Sequence, residues 1–445
     1  MNTKLSLKTK LIYGAGDIGF SLTSTIIGAY FLFFLTDVVN LDPAVAGIAL
    51  LIGRTWDYVN DPLIGHISDR TKSRWGRRRP FLLFGAFPFA AIFTLMWLTP
   101  DIQNQAGLAA YYAFAYVLFD AAATFVYMPY FALTPDLTDD YDERTSLTSY
   151  RMFFSIAGGL VAFTVPAMII GDFVPSNGER VFLMAAIFGL VSALPLLLVF
   201  FNTRERHTAP VEKNPNIFHA LKLALKNRPF VFGAIIYLVT WTSMGILETV
   251  LLYFINYVVV RGQQSDLFMG LIFGVGVLAL PLWNWVSKKL NKRMAYVVGI
   301  SFWAFVQMML ITLGPASQFE WIVALCVLAG VGVSAAHVLP WSILPDSIEY
   351  GEFEYGERHE GVFYSLVTLM AKVANSIAIP TTAFILDATG YIPNSSVQPQ
   401  SALTGIRLLI GPIPALLLLI GIVFALRYPL DREQYTRIVE QLKEG

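Results

Sequence analysis

Apolar runs long enough to cross a bilayer recur along the chain, separated by short polar punctuation. Charge-free stretches cover 81–100, 152–171, 181–203, 267–287, 294–318, 321–345 and 408–426. At about 1.5 Å per helical residue, each spans a hydrocarbon core of about 30 Å. Further apolar segments, broken only by single charges, fill 11–35, 44–67, 107–133, 230–258 and 361–387. The pattern therefore predicts an all-α polytopic membrane protein with twelve transmembrane helices.

The longest polar stretch, 202–229, holds Pro210, Pro215 and mixed charges, and it divides the helices six and six. The organisation expected is a six-helix bundle at 1–201, a cytoplasmic linker at 202–229, a second six-helix bundle at 230–430 and a cytoplasmic tail at 431–445. The halves echo each other. Pro129-Tyr130-Phe131-Ala132-Leu133-Thr134-Pro135-Asp136 leads into an acidic loop ending Glu143-Arg144, and Pro340-Trp341-Ser342-Ile343-Leu344-Pro345-Asp346 leads into another ending Glu357-Arg358. A parallel six-plus-six repeat with a site between its halves is a secondary-transporter architecture.

Composition agrees with burial in lipid: 56% of residues are hydrophobic and 14% charged, and the mean hydropathy of +0.60 lies outside the range of ordinary soluble chains. With the N-terminus inside, the cytoplasmic side collects Lys4, Lys8, Lys10 and the basic residues of 70–79, 204–228, 288–293 and 427–443. The outer side keeps Arg180, Arg261 and Arg407. The positive-inside rule then places both termini in the cytoplasm. A net charge of zero gives no reason to expect nucleic acid, and the basic blocks read as topology signals in contact with anionic lipid. Cys326 lies in an apolar run, so neither a disulfide framework nor thiol chemistry is implied. No small-residue cleavage site follows the first apolar segment, which reads as a retained helix.

The segment 54–65, Arg54-Thr55-Trp56-Asp57-Tyr58-Val59-Asn60-Asp61-Pro62-Leu63-Ile64-Gly65, carries the candidate chemistry. Asp57 and Asp61 are four residues apart, so a helix stacks them on one face with Asn60 beside them and Arg54 a turn earlier. A carboxylate at membrane depth costs roughly 2.5 to 3.5 kcal/mol and is retained mainly where a pathway or partner requires it. Two acids and an amide on one face suggest an oxygen cage for a small cation, and an Asp57–Arg54 pair is the structural alternative.

Other motifs carry a resemblance. Gly65-His66-Ile67-Ser68-Asp69-Arg70 followed by Gly76-Arg77-Arg78-Arg79-Pro80 resembles the signature loop of the major facilitator superfamily. The inserted Thr71-Lys72-Ser73-Arg74-Trp75 is similar to the form found in glycoside–pentoside–hexuronide cation symporters of the melibiose-carrier type. Tyr13-Gly14-Ala15-Gly16-Asp17, Thr36-Asp37-Val38-Val39, residues 56–62, Asp346-Ser347-Ile348-Glu349-Tyr350-Gly351-Glu352 and Glu360-Gly361-Val362-Phe363-Tyr364-Ser365 agree in order along the whole chain.

The resemblance implies a major facilitator fold and assigns Asp57, Asn60, Asp61 and Thr124 as cation ligands. Hard oxygen donors of this kind suit Na⁺ or Li⁺, and the same carboxylates also accept H⁺. It further implies substrate contacts at Arg151 and Lys372, with Thr368 one turn before Lys372 on the same face. Where melibiose carriers hold acids that grip sugar hydroxyls, this chain has Ser21 and Tyr127, and Phe131 replaces a Trp. Tyr127 and Phe131 are one helical turn apart, a spacing that offers an aromatic platform to a sugar ring. His337 interrupts an apolar helix, as a packing histidine or as a pathway residue. Asp69, the basic block and the two acidic loops read as mechanical charges that latch alternating states, while Asp17, Asp120 and Glu248 receive no role.

The expectation is a non-enzymatic, multi-pass protein of the inner (cytoplasmic) membrane, monomeric and without a cofactor. It would carry a small sugar or glycoside in symport with a monovalent cation, Na⁺ first and H⁺ second. A lipid or lysolipid carrier of the same superfamily is the alternative, because the loss of sugar-gripping acids fits it. An intramembrane enzyme built on Asp57 and Asp61 lacks an accompanying metal cluster, activated nucleophile or phosphate loop.

Overall fold

The computed structural model describes residues 5–430 apart from 139, 206–223, 345 and 356–359, and in the tail 434–435, 437–438 and 440–441. Much of the expected linker and tail thus lies outside the described residues. Contacts divide the chain into two compact units, 1–212 with 391–397, and 213–390 with 398–445.

In the first unit α1 (Leu7–Ala15) and α2 (Ile18–Ile26) are followed by two π-helical turns, Ile27–Phe31 and Phe34–Val38. Ser6 caps α1 by accepting from the Thr9 amide at 3.1 Å. Next come α3 (Pro43–Thr55), α4 (Asp57–Arg70), α5 (Arg79–Met96), α6 (Gln105–Ala132), the single turn α7 (Thr134–Leu137), α8 (Tyr141–Ile170) and α9 (Gly178–Asn202). Pro43 opens α3, where its missing N–H costs no hydrogen bond. The segments expected as two continuous helices at 11–35 and 44–67 are thus broken, the second at Trp56, immediately before Asp57. Helices α1 and α2 pack on α8, α5 packs on α6 and α9, and α3 and α4 pack on α6. Gly19 permits a close helix approach: a Cβ there would stand 2.5 Å from both the Ser192 carbonyl and the Tyr127 hydroxyl.

The second unit contains α10 (Arg228–Tyr253), α11 (Ser265–Leu290), α12 (Lys292–Leu310), α13 (Phe319–Ile343), α14 (Asp346–Tyr355), α15 (Glu360–Ala388), α16 (Gln400–Ile410) and α17 (Pro412–Leu426). Helix α10 packs on α13, α15 and α17, while α11 and α12 pack on α13. Among the described residues ten helices are long and apolar enough to cross a membrane. The interrupted segments 7–38 and 43–70 bring the set to twelve.

Two acidic stretches expected as loops are largely helical. Residues 346–355 form α14, and the first stretch turns into α8, where the Asp140 side chain accepts from the Glu143 amide at 3.0 Å. Capping by Asp makes acidic sequence compatible with a helix start. Segment 391–397 belongs to the first unit by its contacts. There the buried Asp37 accepts from the Tyr391 hydroxyl at 2.7 Å, the Asn394 amide at 3.1 Å and Thr36 Oγ1 at 2.6 Å.

The N-terminal end is tied down by Glu143, which accepts from the Leu5 amide at 2.9 Å and from Lys10 Nζ at 3.0 Å. The Leu5 amide, then Lys10, hold its carboxyl below the usual carboxylate range. A depressed folded-state value means that the tie is present at neutral pH and is lost as pH falls through that value. A spin label at Lys8→Cys is expected to gain mobility only below the ordinary glutamate range. Glu143→Gln is expected to release it already at neutral pH, and an immobile label in that variant would refute the tie.

Candidate functional site

Helices α4 and α6 carry the four expected cation ligands. Asp57 and Asp61 sit one turn apart on α4, and the buried Asn60 donates through Nδ2 to the Asp120 carbonyl at 3.4 Å. From α6, the buried Thr124 hydroxyl donates to Asp61 Oδ1 at 3.2 Å. The Arg54 guanidinium lies over the Tyr116 ring at 5.8 Å. Among the described residues no cluster of three or more His, Cys, Asp or Glu side chains forms. The four expected ligands offer two carboxylates, an amide and a hydroxyl, a hard oxygen donor set.

A second polar group of the first unit centres on Arg151 of α8. Its Nε stands 3.2 Å from Asp17 Oδ2, and its guanidinium lies over the Phe131 ring at 4.7 Å. Phe131 packs 6.0 Å from Tyr127, and the Phe20 ring stands on both, at 5.4 and 5.2 Å. Ser21 Oγ donates to the Ser155 carbonyl at 2.5 Å, one turn beyond Arg151, so its proton is committed to α8. Behind Arg151, the Tyr13 hydroxyl donates to the Tyr130 carbonyl at 3.2 Å, and the Tyr130 hydroxyl donates back to the Tyr13 carbonyl at 2.5 Å. The structure therefore brings Arg151, Phe131, Tyr127 and Ser21 together. It adds Asp17, to which the sequence reading gave no role although its charge in an apolar segment was a signal.

The second unit holds the remaining expected substrate residues. Lys372 is half-buried on α15, and Thr368, one turn earlier, is exposed. His337 on α13 is exposed, and its ring lies 5.1 Å from Trp241. Trp241 stacks on Tyr237 at 5.6 Å, and Tyr237 meets Trp341 edge-on at 5.3 Å. The Tyr237–Trp241 pair repeats the one-turn aromatic spacing of Tyr127 and Phe131.

Of the charges read as mechanical, Asp69, Asp136, Arg77 and Arg78 find partners inside the first unit. Asp136 pairs with Arg77 Nη2 and Arg78 Nε, each at 2.7 Å, and Arg78 Nη2 reaches Asp69 at 3.2 Å. The hydrogen bond to Asp136 raises the Arg77 value further. Glu205 accepts from the backbone amides of Arg77, Arg78 and Arg79 at 2.8, 2.9 and 3.0 Å, an anion held at the N-terminus of α5.

Among the described residues, ten helices long and apolar enough to cross a membrane, with the two interrupted segments 7–38 and 43–70, define a multi-pass membrane protein. The chain belongs to the MFS/sugar transport protein family, whose pattern matches residues 12–432. It is 32% identical to the putative glycoside/cation symporter YagG of Escherichia coli, over 93% of this chain and 90% of that one. It is 26% identical to the sodium-dependent lysophosphatidylcholine symporter 1-A of Danio rerio, over 97% of this chain and 87% of that one. The inward-open xylose transporter XylE of Escherichia coli superposes with a TM-score of 0.67 at 15% identity, over 98% of this chain and 99% of that one, and shares the major facilitator fold. Relatives of this kind are symporters, and they support cation-coupled symport here.

Proposed function

We propose that the protein is a Na⁺-coupled symporter of a sugar or glycoside, working by alternating access in the inner membrane. The observation that carries this reading is the Thr124 hydroxyl donating to Asp61 Oδ1 at 3.2 Å, which joins α6 to the segment of α4 that bears Asp57, Asn60 and Asp61. Asp57, Asn60, Asp61 and Thr124 would ligate the ion, the Thr124 hydroxyl turning a lone pair toward it as Na⁺ replaces its hydrogen-bonded contact with Asp61. Arg151 and Lys372 would donate to substrate oxygens, with Phe131 beneath the ring and Thr368 and His337 as further polar contacts. Ser21 would take part only as an acceptor, and Tyr127, 2% exposed beneath Phe20, would reach the ring only once Phe20 moves aside. Two relatives support the pairing of ion and solute by their names, one a glycoside/cation symporter and one sodium-dependent. Coupling is reciprocal: an ion that raises affinity for the solute is itself bound more tightly with solute present.

The second reading, a lysolipid carrier, is favoured by the similarity to the Danio rerio protein. Counterflow in proteoliposomes against glycosides, pentosides, uronides and lysolipids, with and without Na⁺, separates the two. Na⁺-stimulated exchange of a glycoside is expected. Exchange confined to lysolipids would overturn the sugar assignment and leave the ion site standing.

A further inference from the structure

Asp17 and Arg151 form an ion pair at 3.2 Å, with the Asp17 side chain 5% exposed and the Arg151 side chain 18% exposed. Asp17 Oδ1 makes no hydrogen bond and is closed off from solvent. The acid is thus committed to Arg151 and stays out of reach of a solute in this state, while the guanidinium, spread over Phe131 at 4.7 Å, keeps some accessible surface. An unpaired Arg at this position would present a full positive charge in a poorly solvated setting and attract anions strongly. Paired with Asp17, it presents N–H donors on a wall of zero net charge. The surrounding rings of Tyr127, Phe131 and Phe20 add apolar faces and no charge.

We propose that Asp17 is a specificity-determining positioning residue: by neutralising Arg151 and fixing it over Phe131, it makes the first unit's wall a donor surface for uncharged, hydroxyl-rich solutes and biases it against anionic ones such as uronides and phosphate headgroups. The inference rests on the proposed role of Arg151 in substrate binding and narrows the substrate class to neutral glycosides. Specificity here is a difference between two affinities, set as much by the charge withheld as by the donors offered.

The test compares nitrophenyl β-glucoside with nitrophenyl β-glucuronide, which differ by a carboxylate in place of the primary alcohol, as competitors of transport in proteoliposomes. In Asp17→Asn the glucuronide-to-glucoside affinity ratio is expected to rise by about tenfold or more, a modest share of the interaction between two charges in such surroundings. Asp17→Glu is expected to keep the wild-type ratio. In Arg151→Gln, which leaves the acid alone, the ratio is expected to fall, and the double variant Asp17→Asn/Arg151→Gln is expected to return toward wild type. This second arm decides the matter should Asp17→Asn fail to fold. A measurement independent of transport uses sulfate as the probe on the purified protein, against chloride at matched ionic strength: because sulfate stabilises proteins generally, the expected result is thermal stabilisation larger in Asp17→Asn than in wild type. An unchanged ratio, or equal sulfate response in the two proteins, overturns the inference. Wild-type protein that exchanges no glycoside overturns the sugar assignment instead, and the sulfate comparison still decides the role of Asp17.

Discussion

Asp61→Asn is expected to abolish Na⁺ stimulation of uptake while leaving residual Na⁺-independent exchange. The substitution preserves shape, and the amide oxygen it introduces still accepts from Thr124, so the loss isolates the charge. Two unit charges about 4 Å apart at an effective dielectric constant of about 20 interact by about 4 kcal/mol, or about a thousandfold in affinity. Asp57→Asn removes the other carboxylate and is expected to act alike. Thr124→Ala deletes one neutral ligand, for which a loss of about 1 to 3 kcal/mol is the expected scale. Na⁺ titration of counterflow measures all three. Undiminished stimulation in both Asp variants would falsify the cage.

The candidate ion site was legible because its core is local. Asp57, Asn60 and Asp61 fall on one helical face by spacing alone, and charge in an apolar segment has few uses. Thr124 lies 63 residues from Asp61, and only the family resemblance pointed to it. The helices were legible from apolar run length, because bilayer thickness dictates it. Their interruptions were not: the π-helical turns at Ile27–Phe31 and Phe34–Val38 fall in apolar sequence with no proline to mark them. Nor could composition show that 346–355 is helical, since acidic residues serve loops and helix starts alike.

Long-range pairing was the larger omission. Asp17 meets a partner 134 positions along the chain, and Asp37 meets Tyr391 across 354 positions. Both acids were visible as charges within motifs, yet nothing local to either names its partner. Ser21 shows the converse. The family resemblance set it at a position where melibiose carriers hold a sugar-gripping acid, and the structure gives its proton to the Ser155 carbonyl, which leaves its oxygen only as an acceptor.

Arg151→Ala is expected to weaken substrate binding by roughly tenfold or more. Removing a donor that faces a buried partner costs about 1 to 3 kcal/mol, and about 1.4 kcal/mol corresponds to one decade. The variant also strands the Asp17 carboxylate, because a buried ion pair cut on one side leaves an uncompensated charge. Arg151→Ala/Asp17→Asn is therefore the fair comparator, expected to recover protein amount in the membrane without recovering affinity. Arg151→Lys keeps the charge, but a compact ammonium cannot reproduce the planar fork stacked over Phe131. It is expected to restore protein amount and only part of the affinity. Lys372→Ala, from the second unit, is expected to show a loss of similar size. The concentration dependence of counterflow, normalised to protein in the vesicle, reads each effect. Normal half-saturation in Arg151→Ala would remove Arg151 from the substrate site and leave it a structural partner of Asp17.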